Sequence, residues 1–302
     1  MKTFYSDRFV LPLPAGHRFP MQKYSMLRAS VAATLPHVSF EEAPHTSDGV
    51  LALAHHPNYI HRVSSGALTE SEQKQIGFPW SLDMVERSRR STGATIAACR
   101  AALEDKVAVN LAGGTHHAHA DRGQGFCVFN DAAVAARLMQ AERRVSRVAI
   151  IDLDVHQGDG TASILAQDDS VFTLSMHGEH NYPFTKAVSD LDVALPDGTG
   201  DQEYLKQLDY ALEQMFNRFN PQLLIFLAGA DPYEGDRLGR LNLTIEGMAA
   251  RDTRVMQVAK ERGLAVAIAM AGGYGRSIED TVAIHQQTIS IAAKYCQSKE
   301  PV

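Results

Sequence analysis

Three residues spaced two apart, Asp152, Asp154 and His156, carry the clearest chemical potential in this chain. In an extended segment that spacing turns all three to one side. Neighbouring carboxylates repel, and burying them is costly unless a cation or hydrogen-bond donors compensate. The imidazole completes a mixed oxygen and nitrogen set suited to Zn2+ or a similar divalent ion. A catalytic zinc also needs a protein ligand from elsewhere and an open position for water. Asp231, which ends another apolar run, can supply that ligand. Read alone, the same D-x-D-x-H pattern equally describes a strand-end turn with solvated aspartates and a capping histidine.

His116-His117 follows Gly113-Gly114, where glycine lets the backbone come close to a site. Beside a metal, one imidazole could take a proton from water while the other stabilises charge. Each ring would need an acceptor to fix its tautomer, and Asp152 and Asp159 are the available carboxylates. Tyr274 follows Gly272-Gly273; its phenol is either a packed aromatic or a donor to a developing oxyanion. The other histidines, His17, His55, His119 and His177 among them, read as structural or surface residues, and Cys127 as a buried structural thiol. No Gly-rich turn forms G-x-G-x-x-G after a strand or a Walker A loop, which weakens any case for nucleotide binding.

These residues sit where short β-rich runs end. Strands are expected over 107–111, 148–153, 171–175, 222–228 and 264–269. Helices are expected over 130–140, with Asn130 or Asp131 as cap, and over 204–216, 245–262 and 278–295. Apolar runs without alternation suit strands buried on both faces. Strand–helix–strand alternation implies a mostly parallel sheet with helices on both sides, and such sheets place ligand sites at the carboxyl ends of their strands. No linker, repeat or low-complexity tract divides the chain, so residues 1–302 are read as one domain.

The 302 residues are 45% hydrophobic and 21% charged, a balance that argues against disorder. A net charge of −6 offers no strong general attraction to nucleic acid or anionic lipid. Cys99, Cys127 and Cys296 are too scattered for a disulfide framework or a cysteine-rich zinc site. No apolar run is long enough to span a bilayer, and the N-terminal segment lacks the apolar core of a secretory signal. A cytoplasmic location is the resulting expectation.

Taken together, the motifs resemble the zinc-dependent histone deacetylase family, which includes bacterial acetoin-utilisation proteins and acetylpolyamine amidohydrolases. The resembling segments are GGTHHAHADRGQGFCVFNDAAVAA (113–136), IDLDVHQGDGT (151–161), LSMH (174–177), AGADPYEGDRLGRLNLT (228–244) and AGGYG (271–275), with a weaker match at HHPNYI (55–60). The resemblance implies the arginase–deacetylase α/β fold, a mostly parallel sheet of about eight strands flanked by helices in one domain. It implies Zn2+ on Asp154, His156 and Asp231, with another divalent ion possible in vivo. It makes His117 the general base and then acid, oriented by Asp159, and His116 its electrostatic partner, oriented by Asp152. Tyr274 becomes the oxyanion donor. Gly125 and Phe126 would line an acyl-lysine tunnel with Leu238 near its rim. Asp152, Asp154, His156 and Ser175, with backbone carbonyls, would surround a structural K+.

The sequence also departs from familiar eukaryotic members. Thr115 stands where a bulky aromatic precedes the His pair, Gln157 where a second His follows the ligand, and Ala271-Gly272-Gly273 is a shorter glycine run. Residues 17–21 (HRFPM) and 78–81 (FPWS) resemble a bacterial, class IV-like branch. The implied reaction is metal-assisted hydrolysis of an acyl group from lysine side chains or a related small acylated amine. The alternatives are an acetylpolyamine or other small-molecule amidohydrolase on the same fold, a two-manganese ureohydrolase, and a non-catalytic acyl-ligand or metal-binding module. The segment around Asp231 offers too few carboxylates for the ureohydrolase. The resemblance leaves substrate and oligomeric state open.

Overall fold

The computed structural model describes residues 1–296. In chain order the elements are β1 (Lys2–Tyr5), α1 (Gln22–Thr34), β2 (Ser39–Glu42), α2 (Asp48–Leu51), α3 (Pro57–Ser65), α4 (Glu70–Ile76), α5 (Leu82–Asp105) and β3 (Val107–Asn110). There follow α6 (Asp131–Ala141), β4 (Val148–Asp152), α7 (Asp159–Leu165), β5 (Val171–Gly178), β6 (Leu191–Leu195), α8 (Asp201–Arg218), β7 (Leu223–Leu227), α9 (Ile245–Glu261), β8 (Ala265–Ala269) and α10 (Ile278–Ala293).

All the strands join one 8-stranded sheet in the order β2-β1-β3-β8-β7-β4-β5-β6, and every pairing is parallel. The inner strands β3, β4, β5, β7 and β8 are buried along their whole length, which is why they read as unbroken apolar runs. Their side chains nonetheless alternate between two cores. Ile150, Ile225 and Ala267 point into the layer that contains α5 and α6; Ile151, Phe226 and Ile268 point into the layer with α8, α9 and α10.

Local chemistry fixes several helix starts. Asn130, not Asp131, caps α6, its side chain accepting from the Ala133 N–H. Ser81 caps α5, Thr244 caps α9 and Ser277 caps α10 in the same way. Helix α5 comes close to its neighbours because small residues line it: a Cβ on Gly93 would lie 1.9 Å from the Pro44 carbonyl oxygen. The expected strands and helices are all present. The outer strands β1, β2 and β6 and helices α1 to α5 and α7 carry weaker patterns and add to that reading.

The loops that bear the chemistry follow β3, β8, β7, β4 and β5, which are contiguous in the sheet. Because the strands are parallel, their carboxyl ends share one edge, and residues far apart in sequence meet there.

Candidate active site

The β3 loop is shaped by one carboxylate. Asp131, freed from capping, accepts from the backbone N–H of Gly114 (2.9 Å) and Thr115 (2.8 Å) and from the hydroxyls of Thr115 (2.8 Å) and Thr95 (2.6 Å). Thr115, in place of an aromatic, is thus part of this clamp. Gly114 takes a positive φ of 70°, and a Cβ there would lie 2.4 Å from the Ala271 Cβ, so the β3 and β8 loops touch. The turn delivers His116 and His117 into the interior, both buried.

After β4 the chain leaves the strand at Asp152, so the D-x-D-x-H run is not extended as its spacing suggested. Instead each aspartate accepts from the backbone two residues on: Asp152 from the Asp154 N–H (3.1 Å) and Asp154 from the His156 N–H (3.0 Å). Leu153 and Val155 are driven into the core, and the polar side chains still converge. Asp154, His156 and Asp231 bring one ligand atom each within 4.8 Å of one another, all buried. His156 Nδ1 stands 2.9 Å from Asp154 Oδ1 and 3.4 Å from Asp231 Oδ2. Asp154 Oδ2 also accepts from the Gly272 N–H (2.7 Å), and Asp231 Oδ1 from the Val155 N–H (2.9 Å). Asp231 Oδ2 is buried and accepts no hydrogen bond from any described residue.

The electrostatics say what this cluster lacks. Burial, and then repulsion from Asp154, push the Asp231 carboxyl up to about 6. Burial alone would depress His156, but its hydrogen bond to Asp154 and the negative charge of Asp154 and Asp231 outweigh that and raise it to about 10. Two buried carboxylates facing one imidazole mark a place where positive charge is stabilised. A divalent cation would supply it, free His156 to ligate in its neutral form and satisfy the orphaned Asp231 oxygen. The donor set therefore fits a metal ion.

Each imidazole of the pair has its own carboxylate. His116 Nδ1 lies 2.6 Å from Asp152 Oδ2, and His117 Nδ1 lies 2.7 Å from Asp159 Oδ1. A carboxylate only accepts, so both Nδ1 atoms carry hydrogen and both Nε2 atoms are left toward the site. The rings are stacked obliquely, with centroids 4.2 Å apart. Burial opposes charge on His116, but Asp152 and Asp154 prevail and raise it to about 9. Burial and the neighbouring His116 hold His117 down, to about 4, against the pull of Asp159. One ring thus favours the cation and the other the neutral base, the division of labour that a proton-transfer pair needs.

Asp159 has a second set of partners. Its Oδ2 lies 3.1 Å from His119 Nε2 and 2.5 Å from Gln124 Nε2. His119 is therefore a buried part of the site and not a bystander. Its only sequence signal was its position two residues after His117. His55 is structural: Nδ1 donates to the His119 carbonyl and Nε2 accepts from the Asn130 N–H, both at 2.9 Å.

Tyr274 enters from the β8 loop. Its N–H donates to Asp236 Oδ2 (2.6 Å), whose other oxygen accepts from Leu238 and Gly239 N–H, so one carboxylate ties the β7 and β8 loops together. The Tyr274 hydroxyl makes no hydrogen bond to any described residue, and burial holds its pKa well above the ordinary tyrosine value. Lys23, itself buried, donates to the carbonyls of Ala271 (3.4 Å) and Gly273 (3.3 Å) and lies 5.5 Å from the Tyr274 ring.

A cavity of about 810 Å³ leads to this floor. Gly125, Phe126 and Leu238 line it, as does Tyr182, which the sequence reading passed over. The Tyr182 ring meets His117 edge-on at 4.9 Å. Gly125 has a positive φ of 57°, and a Cβ there would stand 2.7 Å from His117 Cδ2. Phe126 also has a positive φ, 65°, which a side chain of its size adopts at a cost of about 1 kcal/mol or more. Its N–H donates to the Ile76 carbonyl (2.7 Å), and its ring packs on Phe19, Phe78 and Tyr274. Of the residues suggested for potassium, Asp152 and Ser175 are register partners on β4 and β5, and the Ser175 hydroxyl faces His177 Nδ1 at 3.0 Å.

A buried cluster that could hold a cation, flanked by a polarised imidazole pair at the foot of a cavity on a parallel sheet, is an arrangement suited to hydrolytic chemistry. Comparison with known proteins gives the family. A profile of the histone deacetylase domain matches residues 17–289, and the chain belongs to that family. An uncharacterized protein of Picosynechococcus sp. is 41% identical over 93% of this chain and 94% of its own length. Histone deacetylase 2 of Arabidopsis thaliana is 34% identical over 80% of this chain, which spans 64% of that relative. A histone deacetylase-like amidohydrolase of Pseudomonas aeruginosa is 28% identical over 88% of this chain and 74% of its own length. The crystal structure of the HDA15 HD domain superposes with a TM-score of 0.82 at 23% identity, covering 97% of this chain and 91% of that one; it has the same fold. Family membership places the chain among deacetylase-type amidohydrolases.

Proposed function

We propose that this protein is a zinc-dependent amidohydrolase that removes an acyl group, acetyl in the simplest case, from a lysine side chain or a related acylated amine. The observation that carries the reading is the meeting of three features on one cavity floor: the Asp154–His156–Asp231 cluster, the two imidazoles on separate carboxylates, and the unpartnered Tyr274 hydroxyl. Asp154, His156 and Asp231 would hold the ion, which when bound would polarise the acyl carbonyl and acidify a water.

The residues then divide the work. His117, kept neutral by burial and by its neighbour, takes a proton from the attacking water through Nε2. Asp159 holds that ring in the required tautomer. The water oxygen bonds to the acyl carbon, and the oxyanion that develops accepts from the Tyr274 hydroxyl. His116, polarised by Asp152, offsets the negative charge. The C–N bond breaks as His117 returns the proton to the leaving nitrogen, which gives the amine and a carboxylic acid whose remaining proton passes to that amine. The apolar walls of Phe126 and Tyr182 suit the methylene stem of an acylated lysine. Placement in a class IV-like branch rests on residues 17–21 and 78–81. For potassium the support is the family resemblance together with the Asp152–Ser175 pairing, and no step is routed through it.

Metal analysis combined with turnover of an acetyl-lysine peptide tests the proposal. The wild type should hold zinc and hydrolyse the amide. Asp154→Ala should lose metal and activity together, and with them part of its thermal stability. Tyr274→Phe should keep its metal and its melting temperature yet lose about 10² to 10³ in kcat, since the missing bond matters at the transition state. Zinc without turnover would make the protein a binding module instead. Full zinc in Asp154→Ala would put the metal on other residues.

A further inference from the structure

We infer that the mouth of this cavity selects substrates carrying a carboxylate at the outer end of the stem that bears the acylated amine. The inference rests on the amidohydrolase reading and extends it to substrate class. Two cations stand on one side of the mouth. Arg18 lies between His17 and Phe19, whose rings pack against Phe126 with centroids 5.8 and 5.4 Å away. Lys74 precedes Gln75 and Ile76, whose carbonyls accept from the N–H groups of Gly125 (3.0 Å) and Phe126 (2.7 Å). Both side chains are exposed, and both residues line the cavity together with Phe126. Neither makes an ion pair or a side-chain hydrogen bond with any described residue.

The side of the lining that includes Tyr182 carries Arg240 and His180. Arg240 is anchored by its N–H to Asn181 Oδ1 (3.2 Å), beside Tyr182. Asp197 lies behind these two residues and holds both, at 3.1 Å from Arg240 and 3.3 Å from His180, so this side is largely neutralised. Glu179 and Asp121 are exposed carboxylates on neighbouring loops, and Asp121 is paired with Arg122 at 3.1 Å. None of these carboxylates lines the cavity; among the described residues its one acidic lining residue is Asp154, on the floor. The chain as a whole carries a net charge of −6, so this rim reverses the sign of the molecule locally.

The apolar tunnel takes the methylene stem and leaves the rest of the substrate against Arg18 and Lys74. A carboxylate there gains two attractive contacts, whereas a polyamine or a lysine-rich tail meets like charge. That carboxylate could come from an acidic residue flanking an acyl-lysine in a peptide, or from the α-carboxylate of a free acylated amino acid.

The test uses the zinc-loaded protein and matched acetyl-lysine peptides flanked by Glu, Gln or Lys. Free Nε-acetyl-lysine, its methylamide and acetylputrescine are run beside them. At low salt the Glu peptide should exceed the Lys peptide in kcat/KM by about fivefold, the combined size of two exposed ion pairs. Raising the salt to about 0.5 M should shrink that ratio. The double variant Arg18→Ala with Lys74→Ala should bring it within about twofold, and Arg18→Glu with Lys74→Glu should invert it. A faster Lys peptide, or a preference that survives in the double variant, overturns the inference. Acetyl-lysine outrunning its methylamide assigns the carboxylate to a small substrate; a Glu-peptide advantage alone assigns it to a peptide. Should no amide turn over, the amidohydrolase reading fails, and fluorescence anisotropy with the same labelled peptides still ranks them by charge. Equal binding there overturns the inference.

Discussion

Gly272→Ala isolates the geometry of the proposed metal site from its chemistry. The substitution removes no ligand and no hydrogen-bonding group. Gly272 does not adopt a positive φ, so alanine adds no left-handed backbone strain there. The added Cβ, however, would lie 2.0 Å from Asp231 Oδ2 and 2.5 Å from Asp154 Oδ2, where ordinary contact begins at 3.4 Å. The Asp231 oxygen must therefore retreat by about 1.4 Å, or the Gly272 backbone must, taking with it the N–H that holds Asp154. Neither carboxylate has slack, since Asp231 is tied to the Val155 N–H and both residues are fully buried. A displacement of about 1 Å at a reacting centre costs on the order of 10²-fold in rate, equivalent to about 2.7 kcal/mol. We expect kcat/KM to fall by at least that factor and the zinc content at limiting metal to fall with it. Gly49→Ala is the control: it has no atom within 4 Å of the new Cβ and no positive φ, and should change neither quantity. Zinc stoichiometry, kcat/KM and melting temperature would be measured for both. Wild-type zinc content and turnover in Gly272→Ala would show that Asp154 and Asp231 do not form the working metal site.

His119→Ala removes one partner of Asp159 Oδ2 while leaving the His117 bond in place. It should lower kcat about tenfold with metal content and KM little changed, as expected for a residue that positions another; a purely structural role would lower only the melting temperature. His55 is buried between a carbonyl and an N–H that require it neutral, and burial holds it down to about 4. The unfolded chain takes up that proton near pH 6.5, so stability is lost as pH falls from about 6.5 to about 4, by up to about 3 kcal/mol. In His55→Gln, chemical denaturation across this window should show a flatter pH dependence, and an unchanged slope would contradict the assignment.

Much of this protein was legible in its residues. Short apolar runs without alternation, separated by helical stretches, suit inner strands of a covered parallel sheet, and 148–153, 222–228 and 264–269 proved to be such strands. The ligand and proton-transfer candidates, Asp154, His156, Asp231, His116, His117 and Tyr274, were visible because few structural tasks call for such groups at successive strand ends. Other features depended on contacts that composition does not encode. The weakly patterned edge strands β1, β2 and β6 owe their existence to the neighbours they pair with. Asp131 reads equally as a helix cap in sequence, but the turn of 113–115 and Thr95 occupy both of its oxygens. His119, Gln124 and Tyr182 have ordinary sequence surroundings, and only the folding of the loops onto Asp159 and His117 gives them a place in the site. The charge of the cavity mouth is hidden in the same way. Arg18, Lys74 and Arg240 are scattered through an acidic chain, and their shared position arises because separate loops close around one opening. Sequence by itself determined which chemistry was available and which strands would be buried, since those follow from residue type and periodicity. Tertiary structure alone decided which group faces which, because hydrogen bonds, repulsion and exclusion of water act over a few ångströms of space whatever the separation along the chain.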